Sequence, residues 1–290
     1  MPAGGGTDAR SSYPVQVAAV IGQSLARLMR SPSHARQAEA RRRLSRRSLW
    51  LTVAVAAVIA GLMFAIDAPV IRLMPPRGTA SLWPVKLVSD FGKSAYVLWA
   101  LLTILLAIAL AIPRFNGRSR AVLIRFGTQV QYIFLAVGVS VLAGDVLKGV
   151  IGRGRPFVGG EANPFNYSHF AWTEAYASFP SGHAMTAVAL AFAVSALWPH
   201  MRWIMAGYAV VILLTRLVLL AHHPSDVVGG ALVGMLGAML ARHWFAARRL
   251  AFAIRADGEI VPRGGATAKD LKRVARGAFA PYETGAAGRH

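Results

Sequence analysis

The stretch SAYVLWALLTILLAIALAI, residues 94–112, runs 19 residues without a charge and stops at Pro113-Arg114. A helix needs about 20 apolar residues to cross the ~30 Å hydrocarbon core of a bilayer, and this run comes close by itself. Working outward, five further stretches share its character: Leu49 to Ile66, Gly127 to Leu147, Ala184 to Trp198, Trp203 to Leu220 and Val227 to Phe245. The one from Ala184 is short and is expected to begin in the Ser181-Gly182 turn. A hydrophobic content of 55% and a mean hydropathy of +0.47 agree with a membrane protein. The expected fold is all-α: a polytopic, six-span transmembrane helix bundle over residues 49–247. A basic segment, 1–48, precedes it, and a basic tail, 248–290, follows and is expected to lack order from Asp257.

The net charge of +20, from 32 Lys and Arg against 12 Asp and Glu, has two competing explanations, nucleic-acid binding and membrane topology. Placing the N-terminus inside puts 24 of the 32 basic residues on the inner side of the six spans. The outer side keeps eight: Arg72, Arg77, Lys86, Lys93, Lys148, Arg153, Arg155 and Arg216. Such a bias is what the positive-inside rule expects, and an even number of spans leaves both termini inside. Most of the charge is therefore topology, and no aromatic-interleaved basic motif speaks for nucleic acid. The expected home is a bacterial inner membrane, both termini cytoplasmic. There is no cysteine, so disulfides and thiolate metal sites are excluded. The N-terminal residues lack the apolar run and small-residue cleavage site of a signal peptide. Instead Tyr13 to Arg30 places Val17, Ile21, Leu25, Leu28 and Met29 at near-helical spacing, an amphipathic helix for the inner surface. Arg41-Arg42-Arg43 and Arg46-Arg47 form a juxtamembrane cluster suited to anionic lipid heads.

The outer basic residues carry the chemistry. Lys148-Gly-Val-Ile-Gly-Arg-Gly-Arg155-Pro156 ends the third span, and Phe179-Pro180-Ser181-Gly182-His183 opens the fourth. Thr215-Arg216 and, after five intervening residues, His222-His223-Pro224-Ser225-Asp226 join the fifth to the sixth. The topology brings all three segments to one depth on one side. Phosphoryl transfer needs its equatorial charge neutralised, a nucleophile in line and an acid for the leaving oxygen. Lys148, Arg155 and Arg216 offer positive charge, and guanidinium groups grip phosphate bidentately. Ser181-Gly182 at a helix start adds backbone donors. Two imidazoles can divide attack and proton donation, and Asp226, four residues past His222, can accept from its ring. Arg216, inside the end of an apolar span, calls for an anionic partner, either Asp226 or a bound phosphate.

These residues resemble the signature motifs of the type-2 phosphatidic-acid phosphatase superfamily: K-x6-R-P, P-S-G-H and S-R-x5-H-x3-D. Lys148, Arg155 and Pro156 match the first, Pro180 to His183 the second, and Arg216, His222 and Asp226 the third. Thr215 stands where the pattern has Ser, keeping the hydroxyl. The motifs cover Lys148 to Phe245, and the six-span plan extends the likeness to about Leu49. The resemblance implies that His222 is the nucleophile forming a phosphohistidine, Asp226 its orienting partner and His183 the acid for the leaving alcohol. It implies that Lys148, Arg155, Ser181, Gly182 and Arg216 hold the phosphoryl oxygens, with no metal and no cofactor. The implied substrate is a lipid phosphate or diphosphate: phosphatidate, phosphatidylglycerophosphate, undecaprenyl diphosphate or a lipid A phosphate. A phosphatase for a soluble ester, a lipid phosphotransferase and a non-catalytic lipid transporter are the rivals. The two histidines with an orienting carboxylate argue against the last.

The neighbouring residues have plainer readings. His223 is expected to be structural or to line the substrate path, and Arg153 to be a solvated or headgroup-facing charge. Asp145, one turn before Lys148, is expected to pair with it, and Pro224 to open the sixth span. The segment Phe157 to Phe179 holds seven aromatic residues. They read as an interfacial belt, with a flap over the lipid entry path as the sharper alternative. Ser81 to Lys93 reads as a helix lying in the outer interface.

Overall fold

The protein's structure, a computed structural model, describes residues 12–32, 35–266 and 268–278. Helix α1 (Tyr13–Met29) starts with Pro14 in its first turn, where a missing N–H costs nothing. It lies across the end of the bundle away from the motif residues. The Tyr13 hydroxyl donates to the Leu110 carbonyl, Gln131 donates to Ser24 at 2.8 Å, and the Trp244 indole donates to the Leu28 carbonyl at 3.2 Å. That docking fits the amphipathic reading of Tyr13 to Arg30. Helix α2 (Gln37–Ala65) runs unbroken from the basic cluster into the first apolar stretch, so residue 49 falls inside a helix. Short helices α3 (Asp67–Leu73) and α4 (Trp83–Asp90) follow, then α5 (Ser94–Ala111), α6 (Gly117–Ile151), α7 (Gly182–Leu197), α8 (Arg202–Val218) and α9 (Pro224–Ala247).

Among the described residues, five helical stretches are long and apolar enough to cross a membrane, ending in α2, α5, α6, α8 and α9. The expected fourth span, α7, has 16 residues and does begin at Gly182, yet it is shorter than the rest. Trp50, Trp99, Leu142 and Trp203 are each more than 60% exposed. Such rings and side chains on outward faces are at home in lipid, not water. The protein is a multi-pass, mostly helical membrane protein.

Packing explains why α7 sits at the centre. Lipid tails are as apolar as side chains, so helices associate by close backbone approach rather than by hydrophobic exclusion. Helices α6 and α9 both pack on α7. At the α7–α9 contact a Cβ on Gly234 would lie 2.3 Å from the Met185 carbonyl oxygen, which forbids any larger residue. On α7 itself Ala184, Ala187, Ala189 and Ala193 are all fully buried.

The tail differs from expectation. Beyond α9 the strands β1 (Phe252–Ile254) and β2 (Ile260–Pro262) pair antiparallel, and α10 (Ala268–Ala278) follows. Phe252 is fully buried, its ring 4.8 Å from that of Tyr132, and this anchors the hairpin to α6. An anchor of so few apolar residues has no periodicity that sequence reading could detect. Residues 279–290 of the tail lie outside the described residues.

Candidate active site

Two helix ends, of α6 and α8, and two helix starts, of α7 and α9, meet at the site. The last turn of α6 carries Lys148, and Gly152 closes that helix in the left-handed region at φ 60°, its N–H on the Lys148 carbonyl at 2.9 Å. A Cβ there would lie 1.8 Å from the Ser168 carbonyl oxygen, so the turn requires glycine twice over. Helix α7 starts beside it: a Cβ on Gly182 would stand 3.2 Å from Lys148 Nζ. The Ser181 N–H donates to the Asp226 carbonyl at 3.0 Å, tying the start of α7 to the start of α9. Pro224 occupies the first turn of α9, as its missing N–H favours. The three motif segments, read as converging from topology alone, are thus in contact.

Asp226 is fully buried and fully used. Its Oδ2 accepts from Ser178 Oγ at 2.6 Å and from the His223 N–H at 2.8 Å, with His223 Nδ1 at 3.1 Å. Its Oδ1 accepts from Arg153 Nη1 at 2.6 Å. The sequence expectation of a direct bond to His222 is corrected: His222 Nδ1 is 3.8 Å from Asp226 Oδ2, beyond hydrogen-bond reach. Nδ1 lies instead 2.8 Å from the Ser178 carbonyl oxygen. A carbonyl only accepts, so Nδ1 carries the proton and Nε2 keeps its lone pair. Ser178 therefore links the two, holding the ring through its carbonyl and the carboxylate through its hydroxyl. Burial pushes the His222 pKa down to about 4; Asp226 opposes the shift, and Arg216 and Arg155 add to it. The ring is neutral at pH 7.

His223 has no exposure, and its Nε2 is buried without a protein partner. The ring is packed into the protein beside Asp226.

Arg153 is the clearest departure. Expected to be solvated, it is 1% exposed and lies between two carboxylates, with Nη2 2.8 Å from Asp67 Oδ2 and Nη1 2.6 Å from Asp226 Oδ1. Nη1 also donates to Ser225 Oγ at 2.6 Å, and Nε to the Pro164 carbonyl at 2.9 Å. Asp67, fully buried at the start of α3, accepts from the Ser225 N–H at 2.9 Å and from the Ser225 hydroxyl. Two carboxylates, a hydroxyl and a carbonyl satisfy its fork with charge-assisted hydrogen bonds. Sequence reading overlooked Asp67, Ser178, Ser225 and Ser89. Asp67 did carry a signal: an acidic residue at the end of an apolar span asks for a buried partner. The serines carried none.

The expected phosphate ligands line the same region. Lys148 Nζ pairs with Asp145 at 2.7 Å, as expected from their spacing. Arg155 Nε donates to the Glu174 carbonyl at 2.9 Å, and its Nη2 lies 3.5 Å from the Glu174 carboxylate. Arg216 is not paired with Asp226; its Nη1 donates to Ser89 Oγ at 2.6 Å, while its Nε is buried without a protein partner. The Ser181 hydroxyl is likewise buried and unpartnered. Thr215 spends its hydroxyl proton on the Ile212 carbonyl at 2.6 Å, within its own helix. His183, in the first turn of α7, is near enough to Arg216, His222 and Lys148 to interact with each electrostatically. Between Arg155 and Ser178, Trp172 lies over the end of α6: a Cβ on Gly149 would come 2.2 Å from its ring. Phe165 meets Phe64 of α2 with ring centroids 5.1 Å apart. Among the described residues no group of three or more His, Cys, Asp or Glu side chains gathers as a metal site.

The arrangement places an unprotonated ring nitrogen and a second histidine amid three cations, which suits attack on an anionic electrophile. Comparison with known proteins points the same way. Residues 129–250 match the model of the PAP2 superfamily. The chain is 30% identical over 197 residues to a lipid A 1-phosphatase of Rhizobium johnstonii, covering 68% of this chain and 80% of that one. It is 35% identical over 113 residues to a putative undecaprenyl-diphosphatase of Escherichia coli, covering 38% of this chain and 54% of that one. A solved structure, the first transmembrane PAP2 type phosphatidylglycerolphosphate phosphatase from Bacillus subtilis, aligns at TM-score 0.45 and 20% identity over 67% of this chain and 94% of that one. With the family's region containing all three motif segments from Lys148 to Asp226, the chain belongs to the PAP2 superfamily.

Proposed function

We propose that this protein hydrolyses a phosphate or diphosphate ester carried by a lipid, through a phosphohistidine on His222. The observation that carries the reading is the tautomer of His222: Nδ1–H is committed to the Ser178 carbonyl at 2.8 Å, leaving Nε2 as a nucleophile among Lys148, Arg155 and Arg216. Nε2 donates its pair to phosphorus, the bond from phosphorus to the leaving oxygen breaks, and His183 protonates that oxygen. Water then attacks the phosphohistidine, gives its proton to His183 and releases phosphate. Lys148, Arg155, Arg216, the Ser181 hydroxyl and the backbone at Gly182 neutralise the equatorial oxygens. Asp226, through Ser178 and its charge, stabilises the imidazolium character that develops on His222. The excess of basic residues at the opposite end supports an outward-facing, periplasmic site in an inner membrane, with both termini cytoplasmic.

The relatives' names direct the test. Detergent-solubilised protein given a lipid A 1-phosphate, undecaprenyl diphosphate, phosphatidate or phosphatidylglycerophosphate is expected to release inorganic phosphate from at least one of them, with EDTA present. No release from any of the four would overturn the reading, and dependence on added metal would overturn the metal-free mechanism. Transfer of the label to a second lipid instead of water would make it a phosphotransferase.

Trp172 tests the aromatic loop as a flap. Trp172→Ala is expected to lower turnover of micellar lipid about tenfold, the value of burying roughly half an aromatic ring, while a short soluble ester is turned over as before. Lipid turnover equal to wild type would assign the loop to an interfacial belt.

A further inference from the structure

A second cavity opens beside the proposed phosphate pocket, and the reaction as written leaves it unused. Its volume is about 560 Å³, and it is lined by Ile71, Arg72, Arg77, Phe157, Val158 and Leu220 among others. No acidic residue lines it. It shares walls with the catalytic machinery. Leu220 stands two residues before His222, a separation of at most about 7 Å along the chain. Pro156, directly after Arg155, completes the opposite wall.

Its cations are not neutralised by the protein. Arg77 Nε and Nη2 both donate to the Leu220 carbonyl, at 3.3 and 2.9 Å, which fixes the guanidinium beside the chain that leads to His222. Leu220 can offer that carbonyl because it closes α8 in the left-handed region at φ 49°, with the Ala221 N–H on the Arg216 carbonyl at 3.1 Å. Arg77 is also close enough to Arg155 for the two charges to repel. Among the described residues no carboxylate pairs with Arg72 or Arg77. Two guanidinium groups lining a cavity that holds no acidic residue, one of them beside Arg155, form a surface that an anion stabilises. The remaining walls are apolar, so the anion that fits is attached to something greasy.

We infer that this cavity is a second anionic subsite, which takes a further phosphoryl group of the same lipid headgroup while the reacting one is held at His222. The inference rests on the proposed phosphatase reading and narrows its substrate to headgroups with two phosphoryl groups. Arg72 and Arg77 bind the one that is not transferred. Bidentate guanidinium–phosphate bonds supply the affinity, and the apolar walls carry the adjoining part of the lipid.

The experiment compares a polyprenyl diphosphate with the monophosphate of the same chain in wild type and Arg72→Gln, a residue with no bond whose loss threatens the fold. The kcat/KM ratio of diphosphate to monophosphate is expected to fall about tenfold in Arg72→Gln, the effect of one charge-assisted contact. An unchanged ratio overturns the subsite, whether both rates drop equally or neither moves. Arg77→Gln is expected to lower both rates through Leu220, and to lower the ratio as well. A binding arm separates this inference from the chemistry. In His222→Ala protein, retention of the diphosphate lipid measured by native mass spectrometry is expected to fall when Arg72→Gln is added, and retention of the monophosphate to fall less. Equal losses there overturn the subsite even if the enzyme hydrolyses neither lipid. Inorganic phosphate serves as the free-anion probe. It is expected to inhibit wild type and Arg72→Gln alike; inhibition lost in Arg72→Gln would assign the cavity to a free anion and overturn the headgroup assignment.

Discussion

His222→Ala is expected to lower phosphate release on the order of 10⁴-fold or more, the range seen when an enzyme loses its covalent nucleophile. The fold should survive, because the variant gives up only the ring's bond to the Ser178 carbonyl, worth about 1 kcal/mol. Labelled substrate should leave an acid-labile, base-stable phosphoenzyme in wild type and none in the variant. Label persisting in His222→Ala would move the nucleophile elsewhere, to His223 or beyond. The pH dependence follows from the same ring. With its pKa pushed to about 4 by burial, the proposed nucleophile is lost to protonation only as pH falls through that value. Phosphoenzyme formation is therefore expected to show no His222-dependent loss between pH 7 and about 5.

Arg153→Ala is expected to be the most damaging change to stability. It leaves Asp67 and Asp226 facing each other, both fully buried, with no cation between them. Breaking a buried pair in this way costs about 3–5 kcal/mol, because the partner charge stays desolvated and unpaired. Thermal unfolding in detergent should show a lowered midpoint, and activity should fall with it. Arg153→Lys separates the two effects. An ammonium restores the charge, and with it part of the stability, but as a point charge it does not span two carboxylates as the guanidinium fork does. Turnover in Arg153→Lys should remain depressed after the midpoint has partly recovered. Full stability in Arg153→Ala would show that the network contributes nothing to the fold.

The membrane character, the helices and the three motif segments were legible in the sequence, because long apolar runs and clustered polar residues at their ends are strong local signals. The convergence of Lys148, Ser181 and Asp226 followed from counting spans. What stayed hidden depends on contacts across the fold. Arg153 stands two residues from Arg155 and looks equally exposed until Asp67, 86 positions away, is brought against it. The choice of Ser178 over Asp226 as the partner of His222 turns on about 1 Å, a difference that residue spacing along a helix does not encode. The hairpin after α9 escaped for the opposite reason, its buried anchors being too few to form a pattern.

Helix α7, with 16 residues at about 1.5 Å each, is roughly 24 Å long, short of a hydrocarbon core of about 30 Å. It is also the helix whose first turn carries His183. If its far end is level with its neighbours, the end carrying His183 falls several ångströms short of the boundary of the lipid tails. No residue of α7 is exposed, so longer neighbouring helices and not lipid make up the shortfall, and the polar groups sit in a recess walled by them. Under the proposed function, a headgroup entering such a recess would move toward the midplane while its tails stay in the leaflet, with no need to be pulled out. The length of α7 would then set how deep a headgroup has to travel.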